Sequence, residues 1–144
     1  MNASISRQLL FEVARRRMTE ARLLLEVPHR ACDGAVTCAL LAAECALKAV
    51  LLHGHQVNTN ADLSDDSVKR LFSSKEGHMI PKLWAGQSTR AKAGKTPELS
   101  TALNLLNCDR YAYRYGAKKP IAKDAVRLVD AAQTVVDWMK AILR

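Results

Sequence analysis

Two groups of residues in this chain could do chemistry. The first is Asp109-Arg110-Tyr111-Ala112-Tyr113-Arg114-Tyr115-Gly116, which holds all three tyrosines and two arginines within eight residues. On a helix Arg110 and Arg114 point the same way, a fork able to grip phosphate or carboxylate, and Tyr111 and Tyr115 form a second such pair. Guanidinium groups beside aromatic faces suit a single strand or a nucleotide, with a base stacked and the backbone held. The same residues serve equally as architecture, with Arg110 paired to a buried acid and the tyrosines packed on the first helix. The second group is Glu44 and Lys48, four apart inside a run from Ala31 to His53 that is otherwise almost entirely apolar. An ion pair in that setting needs partners to offset desolvation, so it marks either a satisfied structural bridge or the floor of a site.

Neither group is a complete catalyst. Cleavage of RNA by its own 2′-hydroxyl needs one group to accept a proton and another to donate one, and imidazole does both best near neutral pH. The four histidines are His29, His53, His55 and His78, and none follows Arg110. His78 is expected to cap the first turn of the helix after it or to bond a nearby carbonyl. His53 and His55 do not share a helical face, and Cys32, Cys38, Cys45 and Cys108 lack metal-ligand spacing, so no metal or cofactor is expected. The cysteines read as small buried hydrophobes in a reducing compartment.

The elements that must position these residues are helices. Hydrophobic residues make up 49% and aromatic residues only 5%, so the apolar content is Ala, Leu and Val. Leu10, Ala14, Met18, Ala21 and Leu25 trace one stripe along a helix from about Ser6 to Val27, closed by Pro28. The run from Ala31 carries two stripes, Val36/Leu40/Ala43/Leu47/Val50 and Ala35/Ala39/Ala42/Ala46/Ala49, and Gly54 is expected to stop it. Its Asp33, Glu44 and Lys48 argue against a membrane span. Between 55 and 77 one weak helix is expected, with Ser64 as its N-cap before Val68, Leu71 and Phe72. A short third helix spans Ile80 to Ala85. Gly86 to Pro97 reads as a mobile loop whose Arg90, Lys92 and Lys95 face solvent or a polyanion. Leu99, Ala102, Leu103 and Leu106 define a fourth helix to Cys108. A last helix runs from about Ile121 to Leu143. The expected fold is all-α, an antiparallel, up-and-down bundle of four to five helices forming one domain over residues 1–144.

Twenty-two Lys and Arg against fourteen Asp and Glu give a net charge of +8, a field that favours phosphates or acidic proteins. Arg15-Arg16-Arg17 reads as a solvated helix face that could extend a basic groove toward Arg22. The polar start at Met1 to Ser6 is unlike a signal peptide, and a cytoplasmic setting is expected.

The second-helix Ala43-Glu44-Cys45-Ala46-Leu47-Lys48-Ala49-Val50-Leu51-Leu52 with Gly54, then Gly77-His78-Met79-Ile80-Pro81-Lys82-Leu83, then Asp109-Arg110-Tyr111, together resemble the HEPN family, the higher eukaryote and prokaryote nucleotide-binding domains. The resemblance implies a dimeric helical bundle from bacterial toxin–antitoxin, phage-defence or related conflict systems, many of whose members are metal-independent RNases. Their signature is an Arg followed, after four to six residues, by a His, supported by a polar residue of the second helix, where Glu44 matches. This chain lacks that His. The resemblance therefore implies a non-catalytic homodimer that binds RNA, a nucleotide or a cognate acidic protein such as a toxin or nucleotidyltransferase. The expected binding residues are Arg110, Arg114, Tyr111, Tyr115, Glu44 and Lys48. The alternative is an endoribonuclease with a degenerate Arg/Tyr site, to which His78 or another imidazole comes from elsewhere in the fold or from a second subunit.

Overall fold

In a computed structural model that describes residues 4–26, 31–108 and 122–144, every long element is a helix. α1 spans Arg7–Glu26 and α2 spans Cys32–Gly54. Three short helices follow: α3 (Asp66–Lys69), α4 (Ile80–Ala85) and α5 (Thr89–Ala93). α6 (Pro97–Leu106) and α7 (Ala122–Ile142) complete the bundle. Among the described residues, β pairing is confined to one bridge, Ser6 to Thr59.

α2 is the axis. Both of its stripes are buried, and fourteen of its residues are shielded from solvent because neighbours cover it on more than one side. Small side chains such as Ala35, Ala39, Ala42, Ala46 and Ala49 let those neighbours approach closely. By length and composition α2 could cross a bilayer, but 78% of its most apolar window is buried inside the bundle. Its apolar surface already has protein partners, the pattern of a core helix.

α1 buries Leu10, Ala14, Met18 and Ala21. It runs antiparallel to α2, with Arg7 Nη1 3.3 Å from His53 Nδ1 at one end and Cys38 Sγ 3.8 Å from Glu20 Oε2 toward the other. α7 is antiparallel to α1, joined by Arg22 Nη1 donating to Asp130 Oδ1 at 2.7 Å. α2 and α7 therefore point the same way, and the segments between them must carry the chain back along the bundle.

Local chemistry agrees with the sequence expectation at the end of α2 and departs from it at two places. α2 ends at Gly54 as expected, and the left-handed residue of the turn that follows is Gln56, with a φ of 58°. Gly54 packs closely on a distant residue, since a Cβ there would lie 2.7 Å from Ser88 Oγ. α3 is capped by Asp65, which accepts from the Ser67 amide at 2.9 Å, rather than by Ser64. Residues 86–97 are not simply a loop, because Ser88 accepts from the Ala91 amide at 3.2 Å and caps α5. Lys92 there donates to the Ala85 carbonyl at 2.8 Å, and Lys95 lies 5.3 Å above the Trp84 ring, so both are engaged with the fold. The Pro28 to Arg30 turn lies outside the described residues.

Candidate functional site

Because α2 is enclosed, any polar side chain on it must find a partner on a neighbouring element. Glu44 is only 4% exposed. Its Oε1 accepts from Lys48 Nζ at 3.0 Å, one turn along the same helix. The same oxygen lies 2.9 Å from Nδ1 of His78, 34 residues away. One buried carboxylate thus holds an ammonium and an imidazole together. A buried acid with two charge-assisted partners is far better satisfied than one with a single cation.

The turn after α3 delivers His78. Leu71 is buried beneath it, and the backbone then passes so close that a Cβ on Gly77 would strike the Leu71 carbonyl oxygen. Only glycine permits that approach. Ser74 fixes the same turn by donating to the Arg70 carbonyl at 2.7 Å and accepting from the Glu76 amide at 3.3 Å. Beyond His78, Ile80 and Leu83 of α4 are buried against the bundle. The amide of buried Gln87 locks α4 to α2, donating to the carbonyls of Leu47 at 2.8 Å and Leu83 at 3.0 Å. Because Leu47 precedes Lys48, that bond fixes α4 beside the level of the site.

Lys48 and His78 line a cavity of about 570 Å³ shared with Leu71, Phe72, Ser73, Ser74 and Lys75. Lys48 Nζ also sits 5.7 Å above the Phe72 ring, a cation–π contact. The Lys48 side chain is 12% exposed and that of His78 41%, so the imidazole is the more accessible of the two. Two ammonium groups, an imidazole and an aromatic ring around one cavity form a set of donors for phosphate with a surface on which a base can stack. Among the described residues, no cluster of three or more His, Cys, Asp or Glu could hold a metal ion.

The structure brings Glu44 and Lys48 together as expected from their spacing. It does not show His78 capping the helix after it; the imidazole meets the Glu44 carboxylate, and an acid buried this deeply gains from a partner beyond Lys48. Arg110, Tyr111, Arg114 and Tyr115 lie outside the described residues. Sequence reasoning passed over Lys75 and took Phe72 only as an apolar residue of the weak helix; the available signal was their place in the segment leading to Gly77-His78.

An all-α bundle with a central α2, its Glu-x-x-x-Lys pair and a Gly-His entering α4 defines a class of helical domain. A family model described as HEPN domain matches residues 8–142, nearly the whole chain, and the protein belongs to the HEPN domain family. No curated protein and no solved structure matches it.

Proposed function

We propose that this HEPN domain acts in the cytoplasm to bind RNA or a nucleotide, with phosphate held in the cavity over Glu44, Lys48 and His78. The observation that carries this reading is the shared carboxylate oxygen, which holds Lys48 at 3.0 Å and His78 at 2.9 Å, both of which line a basic cavity. Donors fixed in advance lose little freedom when an anion arrives, which favours binding. Phe72 offers a stacking surface and Lys75 a second ammonium.

The bond between Glu44 and His78 also favours a second reading, metal-independent RNA cleavage. A carboxylate on Nδ1 orients an imidazole for proton transfer. The 2′-oxygen would attack phosphorus and expel the 5′-oxygen, leaving a 2′,3′-cyclic phosphate; one group takes the 2′-hydroxyl proton and another protonates the leaving oxygen. Among the described residues this cavity offers one imidazole for two proton transfers, so binding is the primary reading.

Purified protein incubated with labelled RNA in EDTA decides between them. Retention without cleavage, weakened by Lys75→Ala, supports binding. EDTA-resistant cleavage lost in His78→Ala establishes the second reading, and no retention of RNA or nucleotide at low salt overturns both.

A further inference from the structure

A second basic surface lies on the outer side of α1 and α7. Glu12, Arg15, Arg16, Met18, Thr19, Arg22, Gln133 and Lys140 border a trough of about 550 Å³. Its cations differ in how they are used. Arg22 is paired with Asp130 at 2.7 Å, Lys140 lies 3.9 Å from Asp137, and Glu12 accepts from Gln8 at 3.0 Å. Among the described residues, no carboxylate lies within ion-pair distance of Arg15 or Arg16; Arg15 rests over the Phe11 ring at 5.7 Å. The two arginines are exposed on a well-packed helix, so their attachment points are fixed while their charges reach into solvent.

Two large apolar side chains flank them. Leu9 is 48% exposed and Leu23 57% exposed. Leu9, Arg16 and Leu23 are spaced seven apart and so fall on one stripe of α1, about 21 Å from end to end at 1.5 Å per residue. Exposed Val126 of α7 lies one turn before Asp130, at the Leu23 end.

We propose that this stripe docks an acidic amphipathic helix of a partner protein, its carboxylates on Arg15 and Arg16 and its apolar side chains on Leu9 and Leu23. Charge complementarity selects the occupant. Nucleic acid would engage the arginines but leave both leucines unused, since phosphates gain nothing from apolar surface. A second copy would use the leucines: antiparallel pairing about a two-fold axis sets Leu9 against Leu23 of the copy. The same axis sets Arg16 against its own counterpart, and like charges facing each other across an interface are costly. An acidic helix satisfies both halves of the pattern, in the helix-against-groove mode of recognition. A homodimer of this chain accordingly uses another face.

The probe is a synthetic helical peptide carrying two leucines fourteen residues apart with glutamates between them, titrated against the full chain by fluorescence anisotropy. Controls replace the glutamates by lysine or the leucines by serine. The acidic peptide is expected to bind, and Arg16→Glu to weaken it about tenfold or more through like-charge repulsion. Leu23→Ser is expected to weaken it by less. Both positions are exposed, so circular dichroism should show an intact fold, and RNA retention at the Lys48 cavity should be unchanged in both variants. Equal binding of the acidic and control peptides overturns the proposal. Loss of RNA retention in Arg16→Glu also overturns it, by making the trough a nucleic-acid track, as does a monomer–dimer equilibrium weakened by Leu9→Ser, which would assign the face to a second copy.

Discussion

The protein carries two cationic regions that solve opposite problems. In the cavity beside α2, Lys48 and His78 are tied to Glu44, a carboxylate almost wholly removed from water. In the trough on α1, Arg15 and Arg16 have no carboxylate in reach among the described residues. The first region spends a buried acid to fix where its cations stand, so it can discriminate by geometry. The second keeps its charge uncompensated and open to water, where it acts over longer distances but with little directional demand. Placement and reach are thus divided between two sides of one bundle.

The comparison is broken most severely at Glu44. Glu44→Ala strands the Lys48 ammonium in a largely enclosed position, and loss of one partner from a buried ion pair costs about 3–5 kcal/mol. Urea unfolding should show that fall, with RNA retention lost at the same time. Arg16→Ala, which removes an exposed charge, should stay within about 0.5 kcal/mol of the parent. Equal costs at the two positions would erase the distinction between the regions.

Gly77→Ala is expected to be the next largest. The added methyl meets the Leu71 carbonyl, which is backbone and cannot swing away. Overpacking of this kind costs about 1–3 kcal/mol. The relevant readout is the His78 imidazole: its NMR signals should shift toward those of a solvated ring as the turn moves it from Glu44. Unchanged imidazole signals would show that the turn is not what delivers His78.

How much of this was legible depends on whether the residue's surroundings lie on its own helix. The stripes of α1, α6 and α7 were readable because one face of each is buried: Leu99, Ala102, Leu103 and Leu106, for instance, are all in the core. The alanine-rich run announced α2 as an enclosed helix for the same reason. α5 was not readable, because TRAKA is five residues with no apolar stripe and depends on the Ser88 cap. Gly54 was readable as the end of α2, whereas its close approach to Ser88, far along the chain, was not. Glu44 and Lys48 were recognisable from their four-residue spacing, whereas the Glu44–His78 bond spans 34 residues and follows only from the fold. Periodicity shows which face is buried, not what meets it.

A smaller effect separates the regions by salt. If phosphate contacts Lys75 in the cavity, Lys75→Ala removes about one unit from the log–log dependence of RNA affinity on salt. Arg16→Glu should leave that slope unaltered, because the trough is assigned to a protein. Filter binding across a salt series measures both, and a slope lowered equally by the two variants would merge the regions into one nucleic-acid surface.

The smallest effect lies within the arginine triplet itself. Arg17, next to Arg16, donates to Glu20 at 2.6 Å, which holds its guanidinium above the usual range. The same Glu20 oxygen lies 3.8 Å from Cys38 Sγ. Burial pushes the Cys38 thiol up, and the Glu20 charge adds to the shift while Arg17 opposes it. A thiol whose proton is held more tightly in the folded state contributes stability below its unfolded value, and that contribution is lost as pH rises through the native one. Alkylation of Cys38 by iodoacetamide should therefore rise at higher pH than in a short peptide. Glu20→Gln should move the midpoint down, yet only part of the way, because burial is the larger cause. A midpoint that returned fully to the peptide value would make Glu20, rather than burial, the controlling cause of the Cys38 shift.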